Sequence, residues 1–312
     1  MLKERVFLTS ERASVGVALV WATTRLESAG ADTPRLDAEC LLAHLIGCDR
    51  LHLYAAIEEG LPSSVLESYR RLVARRQARE PLAYLTGTKE FWSLSLKVTP
   101  AVFVPRPETE VLVETVLQRL GELQSPIIAD IGCGSGAIAV AVAKTVPSAR
   151  VYATEISKRA LDVAQENAMV NGVGGQITFL QGDLLEPLLT RDLVGRCDLV
   201  VSNPPYIATG DLADLPPEVQ YEPVEALDGG PDGLACHRGI IGGAPALLRP
   251  EGFVVLEMAP EQGASLTRIL RDQGSFTEVG IMADLSGRER LIIARTAEPG
   301  SRRSRRWGEK GA

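Results

Sequence analysis

Ile127-Ile128-Ala129-Asp130-Ile131-Gly132-Cys133-Gly134-Ser135-Gly136-Ala137 joins a short apolar run to a loop with glycine at every second position, then enters a second apolar run, Ala137 to Ala143. The first run has the length and β-branched content of a buried strand, and the second begins a helix. Glycines at such a strand-to-helix turn let backbone approach a ligand where any Cβ would intrude. Outward from this loop, strands are expected at Val151 to Thr154, Ile177 to Leu180, Asp198 to Ser202 and Phe253 to Met258, with helices from Ala137, from Lys158 and near Gly233 to Leu248. That alternation predicts a doubly wound α/β sheet, and Phe276 to Met282 with Glu289 to Ala294 predicts a terminal antiparallel hairpin.

Glu155 ends the next expected strand, 19 residues after Gly136, where a carboxylate accepts hydrogen bonds from ribose hydroxyls. Asp183, after the third strand, stands where the edge of a purine would lie. Together these features specify a nucleoside but not which one, because Gly132-x-Gly134-x-x-Ala137 also satisfies the dinucleotide fingerprint. Asn203-Pro204-Pro205-Tyr206 narrows the choice. It follows the apolar run Cys197 to Ser202 and lies 71 residues after Gly132. A planar nitrogen is a poor nucleophile because its lone pair is delocalised, so its N–H groups must be held by acceptors that favour the transition state. Asn203 Oδ1 and the Pro204 carbonyl are candidates for those acceptors. Pro204 and Pro205 stiffen the turn, and Tyr206 can wall a planar group. Methyl transfer to such a nitrogen fits this pairing, whereas hydride transfer lacks a Tyr-x-x-x-Lys pair or a well-placed histidine.

The 312 residues, 45% hydrophobic and 23% charged, suffice for one large and one smaller domain. No apolar stretch is long enough for a membrane helix, and the N-terminus has no signal-peptide pattern, so a cytoplasmic protein without membrane association is expected. Five cysteines without a Cys-x-x-Cys pair and three scattered histidines predict reduced thiols and no metal. Residues 1 to 90 are electroneutral and residues 299 to 312 carry +4, so the net charge of −7 leaves −11 on residues 91 to 298. A body of that sign repels a phosphate backbone, so no specific DNA binding is expected.

Helical spacing marks Val17 to Leu26, a helix opening at Pro34 with Leu36, Cys40, Leu41, His44 and Leu45 along it, and Leu61 to Arg79. Arg70, Arg71, Arg75, Arg76 and Arg79 read as a solvated helix face or a docking face for a protein. Between Glu80 and Pro105 the pattern turns to that of a β-hairpin, and Pro105-Arg106-Pro107-Glu108-Thr109-Glu110 opens another helix. The expected organisation is a helical substrate-recognition domain at 1–80, a β-hairpin linker at 81–105, an α/β domain at 106–298 and a disordered basic tail at 299–312.

Beyond these readings, the chain resembles the peptide-chain release-factor glutamine methyltransferases, the HemK/PrmC family. The resemblance runs through Pro34-Arg35-Leu36-Asp37-Ala38-Glu39, Glu80-Pro81-Leu82-Ala83-Tyr84-Leu85-Thr86-Gly87, Pro105 to Glu110, Asp130 to Ala137, Gly182-Asp183, Asn203 to Ile207, Leu227 to Leu234 and Gly287-Arg288-Glu289-Arg290. It implies a Rossmann-like methyltransferase domain that uses S-adenosylmethionine and yields S-adenosylhomocysteine. The implied acceptor is the side-chain amide of the glutamine in the Gly-Gly-Gln loop of bacterial class I release factors. By position, Gly132, Cys133, Gly134, Ser135, Gly136, Glu155, Asp183, Leu184 and Asn203 would line the cofactor, and Asn203, Pro204, Pro205 and Tyr206 would hold the glutamine. Glu155 stands where Asp is common, Cys133 where Thr is usual, Leu184 where some members carry an aromatic, and Cys236-His237 at a helix position that is often aromatic.

Two other readings share the fold. A DNA adenine N(6)-methyltransferase would grip a flipped base with the same loop, but needs a basic cleft and a target-recognition domain. A non-catalytic binding module would need a broken site, and every expected position is filled.

Overall fold

The computed structural model describes residues 13–298 and 305–306. The chain divides into two compact units, Met1–Thr88 with Pro216–Tyr221, and Lys89–Leu215 with Glu222–Ala312.

The first unit is helical: α1 (Val15–Ser28), α2 (Pro34–Ile46), α3 (Arg50–Ala55), α4 (Ser63–Gln77) and α5 (Leu82–Thr86). Ser14 caps α1 by accepting the Val17 N–H, and Leu19, Leu26, Leu41, Leu42, Leu66, Tyr69 and Val73 form the core. The inward stripe of α2 is shifted from the expected one. Leu36 and His44 are exposed, whereas Asp37, Ala38, Glu39, Leu41, Leu42 and Ala43 are buried. Two carboxylates tolerate burial because each is partnered: Arg76 Nε lies 2.7 Å from Asp37 Oδ2, and Glu39 is met by Arg35, Arg50 and the Tyr54 hydroxyl. Burial acts to raise the Glu39 pKa, but the hydrogen bonds from Tyr54, Arg50 and Arg35 outweigh it and leave the group below its ordinary value.

Two arginines of the expected row, Arg76 in α4 and Arg79 just beyond it, are not a free docking face. Arg76 and Arg79 both reach Glu218, at 3.0 and 2.6 Å, and the Tyr221 hydroxyl donates to the Ala78 carbonyl. Arg75 pairs with Glu80 and Arg71 with Glu67. The expected hairpin over 81–105 is also shorter than its pattern suggested. Pro81 and the left-handed Gly87 bracket the helical turn α5, because a proline start and a glycine stop favour a helix there. Only β1 (Thr88–Phe91) and β2 (Leu94–Lys97) pair. Trp92 and Ser93 turn between them at positive φ, held by Glu110 accepting the Trp92 N–H at 2.8 Å.

The second unit is an α/β sheet. After a 3₁₀ turn at Pro107–Thr109 come α6 (Glu110–Leu120), β3 (Ile127–Ile131), α7 (Ala137–Thr145), β4 (Arg150–Glu155), α8 (Lys158–Val170), β5 (Ile177–Gln181), α9 (Glu186–Leu189) and β6 (Cys197–Ser202). Then follow α10 (Ala235–Leu247), β7 (Leu248–Glu257), α11 (Gly263–Gln273), β8 (Phe276–Ala283), β9 (Glu289–Thr296) and β10 (Arg305–Arg306). The sheet order is β10-β8-β9-β7-β6-β3-β4-β5, with β9 antiparallel to both neighbours and every other pair parallel. Apolar clusters cover both faces, as a parallel sheet requires. Of the tail expected to be disordered, Arg305–Arg306 pairs with β8 as a two-residue strand, and the remainder lies outside the described residues. Successive strands step from β3 toward β5 and then return to β6 on the other side of β3. The topological switch point thus falls between the carboxyl ends of β3 and β6. No helix among the described residues is long and apolar enough to cross a membrane.

Candidate active site

The loop after β3 is built for close approach. Gly132, Gly134 and Gly136 hold φ of 69°, 54° and 78°, which disfavours L side chains. A Cβ at Gly132 or Gly134 would meet nothing within 4 Å, so there the loop opens toward free space. At Gly136 a Cβ would stand 3.1 Å from the Ala164 Cβ, so that glycine serves helix packing. Cys133 and Ser135 are buried beneath the loop, and burial raises the Cys133 thiol far above its usual range, so it is no nucleophile. Asn167 braces the turn, donating to the Ser135 carbonyl at 2.9 Å while exchanging hydrogen bonds with the backbone of Lys97.

Glu155, 9% exposed at the end of β4, accepts the Gly134 N–H on Oε2 and the Ser157 N–H on Oε1, both at 2.9 Å. Each oxygen keeps a lone pair, so the carboxylate can accept from a diol while fixing the loop. Asp130, one residue before the end of β3, is fully buried beside it. Its Oδ2 accepts the Ala139 N–H at 3.0 Å, and Oδ1 has no partner among the described residues. Burial pushes its pKa up to about 7; the Ala139 hydrogen bond opposes this and the Glu155 charge adds to it. An open glycine cradle, a carboxylate at its rim and an orphaned buried oxygen below it suit a nucleoside-bearing cation. Asp183 is exposed after β5. Leu184 is held at φ 42°, with its Cδ1 where a Cβ on Gly239 would come within 2.4 Å, so its side chain leans on α10.

Asn203 follows β6 next to this loop, since Val201 pairs with Asp130 and the Ser202 hydroxyl donates to the Ile131 carbonyl at 2.6 Å. Asn203 Nδ2 donates to Thr109 Oγ1 at 3.2 Å, which leaves Oδ1 as the free acceptor. Among the described residues the Pro204 carbonyl accepts no hydrogen bond either, whereas the Tyr206 carbonyl is taken by Gln262 Nε2 at 2.9 Å. Two unspent acceptors, one on Asn203 and one on Pro204, therefore sit in succession on the strand end. The turn is clamped behind: Ile207 bridges Asp228, and a Cβ on Gly233 would fall 2.4 Å from the Tyr206 carbonyl oxygen. Tyr206 is half-buried, and burial foremost pushes its hydroxyl up to about 12, so it stays neutral. Sequence reasoning missed Thr109 as a partner of Asn203. The signal available was the match at Pro105 to Glu110, which fixed the segment but not its contact.

Two predictions arise here. Gln at position 155 offers one acceptor oxygen for two backbone N–H groups and no charge for a ribose. Glu155→Gln should therefore weaken S-adenosylmethionine binding by about 1.5–3 kcal/mol, roughly 10- to 150-fold. Calorimetric titration reads this directly, and an unchanged affinity removes Glu155 from the site. The second concerns Asp130. Its folded pKa lies above the unfolded value of about 3.9, so between about pH 4 and about pH 7 the folded state holds the proton that the unfolded state has lost. Its contribution to stability is thus present below the unfolded pKa and lost as pH rises toward 7. Denaturant midpoints across that range should fall with pH more steeply in the wild type than in Asp130→Asn; equal slopes contradict the assignment.

The β3-glycine-α7 cradle lies beside two unspent acceptors at the switch point, and residues 96–215 match the Methyltransferase small domain family, so the chain is a methyltransferase. Residues 17–87 match the PrmC N-terminal domain. The chain is 47% identical to the release factor glutamine methyltransferase of Moorella thermoacetica over 89% of this chain and 96% of that one. It is 43% identical to that of Mycolicibacterium smegmatis, again over 89% and 96%. The chain belongs to the release factor glutamine methyltransferase family. Among solved structures, the hMettl16 catalytic domain in complex with the MAT2A 3'UTR hairpin 6 superposes with a TM-score of 0.57 at 19% identity, covering 73% of this chain and 83% of that one, a likeness of fold.

Proposed function

We propose that this chain methylates the side-chain amide nitrogen of the glutamine in the Gly-Gly-Gln loop of bacterial class I release factors, in the cytoplasm. Family membership supports the reading, and the observation that carries it is the pair of unspent acceptors, Asn203 Oδ1 and the Pro204 carbonyl. A primary amide has two N–H groups to match them. S-adenosylmethionine, when bound, supplies an electrophilic methyl on a sulfonium. Gly132 to Gly136 and Glu155 would hold it, with Asp183 and Leu184 beyond the end of β5 on the nucleobase side. Asn203 and Pro204 orient the amide nitrogen, the new N–C bond forms as the S–C bond breaks, and the nitrogen then sheds a proton. Orientation carries most of the barrier reduction, on the order of 7–11 kcal/mol, against about 0.5–1.5 kcal/mol for a net hydrogen bond.

The helical unit is assigned to docking the release factor. The −11 on residues 91 to 298 should favour encounter with a basic loop that normally meets ribosomal RNA, and that advantage should shrink with salt. A competition assay with methyl-labelled donor, purified release factor and duplex DNA tests the reading. Label is expected in the release factor; label in DNA instead would favour the adenine methyltransferase reading.

A further inference from the structure

The Asn203-Pro204-Pro205-Tyr206 turn is poor in backbone donors, because Pro204 and Pro205 have no N–H with which to tie it down. What fixes it comes from elsewhere in the second unit. Ile207 donates its N–H to the Leu227 carbonyl at 3.1 Å and accepts the Gly229 N–H at 2.8 Å, which anchors the chain just beyond the turn. Tyr206 itself is gripped by a side chain, that of Gln262, on the 3₁₀ turn Pro260–Gln262 between β7 and α11.

Gln262 Nε2 donates to the Tyr206 carbonyl at 2.9 Å and to the Gly233 carbonyl at 3.1 Å, while Gln262 Oε1 accepts the Ala259 N–H at 3.1 Å. An amide nitrogen has two hydrogens, so each carbonyl takes one. The Ala259 N–H only donates and the two carbonyls only accept, so a flipped amide would oppose all of its partners. Backbone groups alone therefore set the direction of this clamp. Gly233 makes room for it: at φ 70°, a Cβ there would stand 2.4 Å from the Tyr206 oxygen and 2.8 Å from Gln262 Nε2. With its carbonyl taken, Tyr206 is withdrawn as a rival acceptor to the Pro204 carbonyl two residues before it. We propose that Gln262 is a positioning residue for methyl transfer, clamping the Tyr206 carbonyl so that Asn203 Oδ1 and the Pro204 carbonyl keep the direction in which they hold the glutamine amide. The role rests on the amide-methylation reading of the site and adds to it a residue that acts through the turn.

The test compares Gln262→Met, which keeps the length and removes every hydrogen bond, with Gln262→Glu, which keeps an acceptor for the Ala259 N–H but, as a carboxylate, donates to neither carbonyl. Both should lower kcat on release factor by roughly 10- to 100-fold, since misplacing a reacting group by about 1 Å costs on that order. The KM for release factor and the affinity for S-adenosylmethionine should stay within a few-fold of wild type. In an Asn203→Ala background Gln262→Met should cost much less than in wild type, because both replacements damage one grip. Full kcat in Gln262→Met, or an equal loss in both backgrounds, overturns the proposal. Recovery of kcat in Gln262→Glu overturns it too, since capping Ala259 would then be all that Gln262 does. If one variant fails to fold, the other carries the test; if neither folds, Gln262 serves the fold and the proposal is overturned. Wild-type protein in the same assay separates the two failures. Absence of transfer to release factor sinks the functional reading and this inference with it, whereas transfer by wild type with full kcat in Gln262→Met sinks this inference alone.

Discussion

Asn203→Ala is expected to bind S-adenosylmethionine within a few-fold of wild type while losing roughly 10²–10³ in turnover on release factor, the usual cost of removing a hydrogen-bond partner that matters in the transition state. The structure sharpens the expectation. Asn203 Nδ2 is spent on Thr109, so the truncation removes one free acceptor and leaves Pro204 in place. The substrate amide would then be held by one N–H and free to swing, and near-attack geometry degrades steeply with such freedom. The loss should appear in kcat at saturating release factor more than in KM. Equal turnover at saturation would show that Asn203 is a turn residue and nothing more.

The second large effect is on stability. Arg76 and Asp37 are both nearly inaccessible, with side chains 7% and 3% exposed, and Asp37 also accepts from the Thr33 hydroxyl at 2.8 Å. Arg76→Met removes the cation and leaves a buried carboxylate with only that hydroxyl and no counter-charge. A cost of about 3–5 kcal/mol is expected, read from denaturant unfolding of the helical unit. The double replacement Arg76→Met with Asp37→Leu should regain much of it, because the penalty comes from the uncompensated charge. A loss below about 1 kcal/mol would mean the pair behaves as a surface ion pair. Glu218 has a further stake in Arg76. Through it the Pro216–Tyr221 segment, which leaves the catalytic unit shortly after Asn203-Pro204-Pro205-Tyr206, is tied to α4.

What was legible in the sequence was what neighbours in sequence decide. The glycine loop, the strand ends at Ile131, Glu155 and Ser202, and the Asn-Pro-Pro-Tyr turn carry their geometry in their own residue types, and each is found at the carboxyl edge of the sheet. What was not legible depends on residues far apart. Thr109 meets Asn203 across 94 positions and Arg76 meets Glu218 across 142, and neither contact leaves a local pattern. Arg71 and Arg75 are solvated, but Arg76 and Arg79 are covered by Glu218: helical spacing reports which residues share a side and not whether a distant carboxylate covers it. The inward stripe of α2 was misread because burial of Asp37 and Glu39 runs against hydrophobic periodicity, and only their arginine partners make it tolerable. The helical turn over 82–86 was lost within a hairpin pattern because a five-residue helix has too little periodicity to register.

The measurement closest to the central claim is tandem mass spectrometry of release factor after a single round with this protein and isotopically labelled S-adenosylmethionine. The account predicts one labelled methyl group on the side-chain amide of the glutamine in the Gly-Gly-Gln loop, and no label when Asn203→Ala replaces the wild type over the same interval. Label on another residue of the release factor, or on the glutamine at the same rate with Asn203→Ala, would contradict it.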